Sequence, residues 1–239
     1  MMAEGAETRD RLLLTSAAFD RVKDRLTDAC DVVVMDGEGL FHDLAGQVLP
    51  WEVEPTIVWA STDAYLAGTL RTVLAQAVDS SRTRWVQSFS AGVDDPVFDT
   101  LLRQGARVTR SDAQAIPIAE YVLAHALAQM VPLDRQAELQ ARREWKRTPY
   151  REVAGSRWIV VGHGSIGREI LVRAKAFGAA VTVVRQQAVP VEGADKTIRL
   201  ADLAGHLPDV DVVALACPLT DETRHLADAD FFTRLSPDA

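Results

Sequence analysis

The feature that most constrains this chain is a glycine-rich turn set between an apolar run and an amphipathic stretch. The run from Arg157 to Val161 predicts a β-strand, and residues Ser165 to about Phe177 predict a helix with one apolar face. The turn between them reads Gly-His-Gly-Ser-Ile-Gly, from Gly162 to Gly167. A lone Gly-x-Gly-x-x-Gly is a weak signal, but a strand before it and a helix after it are the context in which it binds a dinucleotide. The segment therefore predicts the strand, turn and helix of a dinucleotide-binding unit.

Each position of the turn has a mechanical reason. Gly162 permits the sharp turn at the strand end, Gly164 lets the backbone approach a pyrophosphate, and Gly167 lets the helix pack close to the strand. Ser165 and Ile166 then begin the helix, where unpaired N–H groups and the helix dipole favour phosphate. The alternative is a tight strand-to-helix connection that binds no ligand, and the regular pattern on both sides favours the ligand. The motif requires no particular side chain at the remaining position, so we interpret His163 as a solvent-facing residue rather than a catalytic one.

The end of the next strand indicates which nicotinamide cofactor is bound. The strand predicted from Ala180 to Val184 is followed by Arg185, Gln186 and Gln187, and no carboxylate appears before Glu192. An acidic residue at this point accepts hydrogen bonds from the adenosine ribose, whereas an arginine accommodates a 2′-phosphate. Arg185 therefore favours NADP(H) over NAD(H). The alternative is a solvated arginine, stacked on the adenine, in an NAD-dependent protein.

Composition excludes several other classes. The 239 residues include 34 acidic and 26 basic side chains, a net charge of −8, which argues against nucleic acid and against anionic membrane as partners. The N-terminus lacks the basic start and apolar run of a signal peptide, and the apolar stretch Ile116 to Leu133 is interrupted by polar residues. Cys30 and Cys217 are far apart and show no metal-ligand spacing, so no zinc site is predicted. We expect a reduced, cytoplasmic protein.

Short β-branched runs alternate with helical stretches, which is typical of α/β layers around a mainly parallel sheet. A domain of residues 1–112 and a second of residues 113–239 are expected, with Pro117 in the first turn of a helix. Arg11–Thr15 is a short apolar run. The predicted strands are Val32–Met35, Thr56–Ala60, Arg84–Ser88, Arg107–Thr109, Arg157–Val161, Ala180–Val184, Thr197–Leu200 and Asp211–Ala216. The predicted helices are Ala17–Leu26, Ala64–Val78, Val97–Arg103, one after Ile116, Asp134–Trp145, Ser165–Phe177, Ala201–His206 and Asp228–Leu235.

Four segments together resemble the D-isomer-specific 2-hydroxyacid dehydrogenases, the group that includes glyoxylate/hydroxypyruvate reductases. They occur in that family's order and at its usual spacing, so the resemblance does not depend on the glycines alone. The segments are Val86 to Asp94, Ile116 to Glu120, Val160 to Gly167 and Cys217 to Arg224.

The resemblance implies a flavodoxin-like substrate domain followed by a Rossmann domain for NAD(P). Ser90, Ala91 and Gly92 would hold the substrate carboxylate through backbone N–H groups, where a glycine lets the backbone come close to a ligand. The alternative is an ordinary strand-to-helix turn with Asp94 as the N-cap.

The segment after the last predicted strand would lie under the cofactor's ribose and nicotinamide, which makes Cys217, Pro218 and Thr223 cofactor-binding residues. A simpler interpretation, compatible with this one, is a helix entry capped by Thr220. Cys217 has no evident base beside it and is interpreted as a small packed residue.

Two further charged features have structural explanations. Glu120 is expected in the first turn of its helix, where the dipole favours a carboxylate, rather than as a catalytic acid. Arg142 and Arg143 are expected on the solvated face of the helix before Trp145.

The family's reaction, hydride transfer between the nicotinamide and a small 2-keto or 2-hydroxy acid, uses an arginine, a glutamate and a histidine. The resemblance places all three after the segment Pro218-Leu219-Thr220 and beyond Ala239, so no catalytic residue is assigned. We expect a C-terminally incomplete Rossmann domain and a fragment that reduces neither glyoxylate nor hydroxypyruvate. The alternative is a non-catalytic nucleotide-binding or interaction module that ends here. The helices between Pro117 and Trp145 would form a homodimer interface.

Overall fold

The computed structural model of the protein describes residues 9–26, 28–93 and 95–239. It consists of two compact units, unit 1 (Met1–Ser111) and unit 2 (Asp112–Ala239). Each unit has its own sheet and its own core.

The described part of unit 1 forms a six-stranded sheet in the order β3-β2-β1-β4-β5-β6. All pairings are parallel except that of β3 with β2. Without β3, the order is the 2-1-3-4-5 of flavodoxin-like sheets, which confirms the expected fold class. The strands are β1 (Asp10–Thr15), β2 (Cys30–Met35), β3 (Phe41–His42), β4 (Ile57–Ala60), β5 (Trp85–Ser88) and β6 (Arg107–Thr109). The helices are α1 (Ser16–Val22), α2 (Thr62–Leu66), α3 (Leu70–Asp79) and α4 (Pro96–Arg103).

The central strands of unit 1 are apolar on both faces because helices cover both sides of a parallel sheet. Leu13 faces one core, with Val58 and Val86, whereas its neighbour Leu14 packs with Ala18 of α1 on the other side. All five side chains are fully buried.

Two predicted helices of unit 1 were wrong in their extent. The stretch Ala64–Val78 forms two helices, because α2 ends at a left-handed Gly68 with a φ of +74°. A glycine in that conformation terminates a helix. The helix predicted to reach Leu26 ends at Val22 and continues only as a 3₁₀ turn.

Unit 2 contains a four-stranded parallel sheet in the order β10-β7-β8-β9. Numbered within the unit and read from β9, this is the 3-2-1-4 order of a Rossmann sheet. The strands are β7 (Arg157–Val161), β8 (Ala180–Arg185), β9 (Lys196–Arg199) and β10 (Val212–Leu215). The helices are α5 (Ala115–Met130), α6 (Leu133–Ala141), α7 (Ser165–Ala176) and α8 (Ala229–Arg234), with a 3₁₀ helix at Leu200–Asp209.

Successive residues of β7 enter opposite cores, as the two-residue period of a strand requires. Trp158 and Val160 pack with α5 and α7, whereas Ile159 and Val161 pack with the 3₁₀ helix and with Phe231 of α8. This two-sided burial fixes the register of β7 and hence the position of the glycine turn that follows it.

Several boundaries in unit 2 differ from the prediction. Helix α6 ends at Ala141, since the chain turns at Arg143 with a φ of +56°, so Arg142 and Arg143 follow the helix instead of belonging to it. The helix predicted to reach about Phe177 ends at Ala176, and Phe177 lies just after it with an exposed side chain. Glu120 lies in the second turn of α5, not the first, because that helix begins at Ala115.

The segment before β10 and the strand itself also differ from expectation. Ala201–His206 belongs to a 3₁₀ helix that contains Pro208, rather than to an α-helix. The predicted buried strand Asp211–Ala216 is shorter and lies at one edge of the described sheet, where Leu215 is exposed.

Among the described residues, no single helix is long and apolar enough to cross a membrane. Only α5 and α6 taken together reach that length and composition, and they are bent by 60° where they meet.

Candidate functional site

The glycine turn follows the carboxyl end of β7. The N–H of Gly162 donates to the carbonyl of Val184 at 2.9 Å, which continues the β7–β8 ladder by one residue. Gly162 has a φ of +97°, and a Cβ there would stand 2.6 Å from the carbonyl oxygen of Ala216. A side chain at this position would therefore be strained and would also collide with the chain after β10.

The other two glycines of the motif differ sharply in what surrounds them. A Cβ at Gly167 would overlap the carbonyl oxygen of Gly162, so this glycine allows helix α7 to begin directly against the turn. A Cβ at Gly164 would meet nothing within 4 Å, and its φ of −78° suits any residue. The protein's own backbone therefore requires glycine at positions 162 and 167. Among the described residues, nothing requires glycine at position 164.

Helix α7 begins at Ser165 without a side-chain cap on its first N–H groups. Those groups and the positive end of the helix dipole are available to an anion. Ser165 is half-buried, and Ile166 packs its side chain against the core, so Ile166 can serve a ligand only through its backbone.

Beside the turn, a groove of about 600 Å³ runs across the carboxyl ends of β7, β8 and β10. It brings together the predicted residues Gly162, Arg185, Cys217, Pro218 and Thr223. The full lining is Val161, Gly162, His163, Val184, Arg185, Gln186, Gln187, Val189, Leu200, Cys217, Pro218, Thr220, Glu222 and Thr223. Gly164, Ser165, Ile166 and Gly167 are not part of this lining. Ligands of open α/β sheets bind at this edge.

The segment after β10 is a turn braced by Thr223. Its hydroxyl accepts from the N–H of Thr220 at 2.7 Å and donates to the carbonyl of Pro218 at 2.6 Å. Thr220 therefore does not cap a helix, as one interpretation of the sequence expected. Its hydroxyl donates instead to Glu222 at 3.0 Å, and the same carboxylate oxygen lies 3.5 Å from the Gln186 amide.

Sequence reasoning missed His163 and Glu222 as groove residues. His163 is half-buried rather than solvent-facing. Burial lowers the pKa of its imidazole, and the charges of Arg185 and Arg168 lower it further. His163 directly follows Gly162, whose left-handed backbone directs the chain there. Glu222 is held by its contact with Gln186. Neither the backbone angle nor this long-range contact can be read from a linear motif.

Cys217 behaves as the packed residue that was expected. It is half-buried against the core beneath the groove, and burial raises the pKa of its thiol. A thiol with a raised pKa is a poor nucleophile at neutral pH. No cluster of three or more metal-ligating side chains occurs within the described ranges.

In unit 1, the predicted substrate residues form a loop after β5. The Ser90 hydroxyl donates to the carbonyl of Gly92, and the Arg110 guanidinium lies 3.4 Å from the carbonyl of Ala91. Asp94, the alternative N-cap, lies outside the described residues. The N-cap of α4 is Asp95, whose carboxylate accepts from Val97 at 2.9 Å.

An open parallel sheet with a glycine turn after its first strand, and a groove at the carboxyl ends of its strands, defines unit 2 as a dinucleotide-binding domain of the Rossmann class. Comparison with known proteins agrees. Residues 123–239 match the family described as "D-isomer specific 2-hydroxyacid dehydrogenase, NAD binding domain". By this match, unit 2 from residue 123 onward carries the NAD-binding domain of the D-isomer specific 2-hydroxyacid dehydrogenases.

Individual relatives show the extent of the likeness. The chain is 29% identical over 182 residues to D-3-phosphoglycerate dehydrogenase of Mycobacterium tuberculosis, covering 73% of this chain and 34% of that protein. It is 28% identical over 147 residues to a glyoxylate/hydroxypyruvate reductase A of Arabidopsis thaliana, covering 60% of this chain and 46% of the other. The chain therefore spans less than half the length of these two relatives.

A solved structure extends the likeness to both units. The crystal structure of a D-isomer specific 2-hydroxyacid dehydrogenase family protein from Aeromonas salmonicida has a TM-score of 0.77 and 28% identity. The match covers 97% of this chain and 71% of that one.

Proposed function

We propose that unit 2 binds NAD(P)H, with the pyrophosphate over Gly164 at the start of α7 and the adenosine in the groove. The observation that carries this proposal is the contrast between the three glycines. Gly162 and Gly167 are required by the protein's own backbone, whereas Gly164 faces open space and suits the close approach of a ligand. The remaining predicted cofactor contacts are the backbone of Ser165 and Ile166, the Arg185 side chain, and the segment from Cys217 to Thr223.

The whole protein, on this proposal, transfers a hydride between the nicotinamide and a small 2-keto or 2-hydroxy acid, as the family of its NAD-binding domain suggests. The cofactor would supply the hydride, and this chain's residues would bind and orient it. Residues 1–112 would form the substrate domain and residues 113–239 the cofactor domain, in a cytoplasmic enzyme.

The substrate carboxylate would be held by the loop Ser90 to Gly92. No hydrogen bond is recorded for the N–H of Ala91 or of Gly92 with any other described residue, so both are available as donors. The Ser90 hydroxyl is already engaged within the loop, which leaves the backbone as the binding element.

We expect NADPH to bind more tightly than NADH because of Arg185. This side chain is exposed at the end of β8 and lines the groove, and a guanidinium pairs with a phosphate in a charge-assisted, often bidentate manner. The Gln186 and Gln187 side chains beside it carry no charge to repel a phosphate.

Binding tests this proposal directly. Dissociation constants for NADPH and NADH are measured by the fluorescence of the reduced nicotinamide. Arg185→Gln should weaken NADPH binding by roughly tenfold and leave NADH nearly unaffected. Arg157→Gln is the matched control, because Arg157 is an exposed arginine at the opposite end of β7. Failure of both cofactors to bind would refute the proposal, and tighter NADH binding that ignores Arg185→Gln would refute the preference for NADPH.

A homodimer through α5 and α6 is also proposed. Ile116, Tyr121 and Leu133 are exposed on these helices, and Trp145 is fully exposed shortly after them. Large apolar side chains exposed on neighbouring helices favour an interface. Sedimentation of the wild type and of Tyr121→Glu measures this, and a monomeric wild type would refute it.

A further inference from the structure

His163 stands at the groove for a geometric reason that the glycine motif alone does not supply. Val161 pairs with Val184 in the parallel ladder, and Gly162 extends that ladder by one hydrogen bond. His163 follows Gly162 at the end of β7, and Arg185 follows Val184 at the end of β8. Both side chains line the same groove.

The position of His163 in the turn separates it from the pyrophosphate site. The pyrophosphate is expected over Gly164 and the first N–H groups of α7, and residues 164–167 are not part of the groove lining that contains Arg185. The side chain of His163 shares its surroundings with Arg185, Gln186 and Gln187, which follow the second strand, where the adenosine ribose is expected.

The imidazole is placed among charges of both signs. Arg185 faces it from β8 and Arg168 from α7, and the groove also contains Glu222 and the Cys217 thiol from the segment after β10. Among the described residues, the His163 ring hydrogen-bonds to no protein group, so both ring nitrogens are available to a ligand.

We propose that His163 and Arg185 together bind the 2′-phosphate of NADP(H), and that His163 takes up one proton from the solvent when the phosphate binds. The inference rests on the proposed cofactor function and adds a second specificity-determining residue to it. A ring nitrogen of the imidazole gains the proton from hydronium, so that an N–H bond forms as an O–H bond breaks and water is left. The new N–H then donates a hydrogen bond to a phosphate oxygen.

The electrostatics of the groove support this proton uptake. Burial and the two arginines lower the pKa of His163, which favours the neutral ring near neutral pH. A bound phosphate dianion reverses the sign of the local charge and raises that pKa. The contribution of His163 to NADPH affinity is therefore largest at acidic pH and is lost as the pH rises through the pKa of the complex.

The experiment compares the NADPH/NADH affinity ratio of three proteins between about pH 5.5 and about pH 8.5. The proteins are the wild type, His163→Gln and His163→Lys. Using the ratio removes any effect that a substitution has on both cofactors alike, including a change in folding. The 2′-phosphate of the free cofactor titrates with a pKa of about 6, and this contribution is common to all three proteins.

The wild type should match His163→Lys at acidic pH and approach His163→Gln at alkaline pH. At the acidic end of the range, the NADPH/NADH affinity ratio of the wild type should exceed that of His163→Gln by roughly tenfold. At the alkaline end, the two ratios should be about equal. Calorimetry in two buffers of different ionisation enthalpy should show more proton uptake with NADPH than with NADH in the wild type, and this excess should shrink in His163→Gln.

Two results would overturn the inference while leaving the cofactor function intact. In the first, the wild type and His163→Gln show the same pH dependence of the ratio. In the second, His163→Gln changes the pH dependence equally for NADH, which would mean that His163 senses the pyrophosphate. If neither cofactor binds to the wild type, the proposed function itself is wrong.

Discussion

The substitution Gly164→Ala separates folding from binding at the glycine turn. A Cβ at this position meets no atom within 4 Å, and the backbone at φ −78° and ψ −164° is open to alanine. Two small effects on stability oppose each other. Alanine is a poorer N-cap than glycine by about 0.5 kcal/mol or somewhat more, and it lowers the entropy of the unfolded chain by a similar amount. The free energy of unfolding should therefore change by less than about 1 kcal/mol.

Binding should respond much more strongly. The added methyl group would occupy the space through which the pyrophosphate approaches the first N–H groups of α7. Losing one charge-assisted hydrogen bond costs about 1.5–3 kcal/mol. This corresponds to a dissociation constant for NADPH that rises roughly 10- to 100-fold.

The assay pairs thermal unfolding with NADPH titration, and Gly205→Ala provides the matched control. Gly205 lies in the 3₁₀ helix outside the groove lining, where a Cβ also meets nothing within 4 Å and the φ is not in the left-handed region. Gly205→Ala should leave NADPH affinity intact. The reasoning fails if Gly164→Ala binds NADPH as tightly as the wild type, because the pyrophosphate then does not lie over this glycine.

Three further outcomes follow from other features of the structure. Gly167→Ala should lower the free energy of unfolding by about 3 kcal/mol, measured by urea denaturation, since its Cβ would overlap backbone at the turn; an unchanged midpoint would contradict this. A hydrogen bond from Lys175 lowers the pKa of the Asp195 carboxyl, so its stabilising effect is present above its unfolded pKa of about 3.9 and is lost as the pH falls through the lower folded value. The free energies of unfolding of Asp195→Asn and the wild type should therefore be most similar at acidic pH. A difference between them that stays constant down to about pH 2 would show that ionisation of Asp195 does not contribute to stability. NADPH should slow alkylation of Cys217 but not of Cys30, which lines a separate groove in unit 1, and equal protection in a mass-spectrometric assay would contradict the groove assignment.

The parts of the fold that sequence reasoning predicted well are those with local signals. The run Arg157–Val161 was predicted with its observed bounds, because four of its residues are buried and only Arg157 is exposed. The glycine turn was predicted from its spacing together with the strand before it and the helix after it, and the structure supplies a steric reason for Gly162 and Gly167. These features are determined within about ten residues of chain, which is the range over which periodicity and turn chemistry act.

The features that were missed depend on contacts between distant parts of the chain. The break at Gly68 is hidden in an otherwise regular amphipathic stretch, since a lone glycine costs a helix only about 1 kcal/mol. The hairpin strand β3 is two residues long and has no period to detect. Its turn is braced by Asp36, whose carboxylate accepts from the N–H groups of Glu38 and Leu40 and pairs with His42.

The groove itself illustrates why a site is harder to predict than its motifs. Its titratable residues come from three strand ends, with His163 after β7, Arg185 at the end of β8 and Glu222 after β10. Arg185 was predicted from its position after β8, but Glu222 has no local signal, and a glutamate at such a position is ordinarily a solvated surface residue. The parallel ladders bring the three strand ends to one edge of the sheet, so that the register of β7 with β8 and β10 decides which side chains share the groove. On the proposed assignment, specificity for the cofactor's 2′-phosphate would be a property of the sheet topology as much as of the glycine turn. Substitutions at residues 163 and 185, which leave the three glycines intact, should then change cofactor preference.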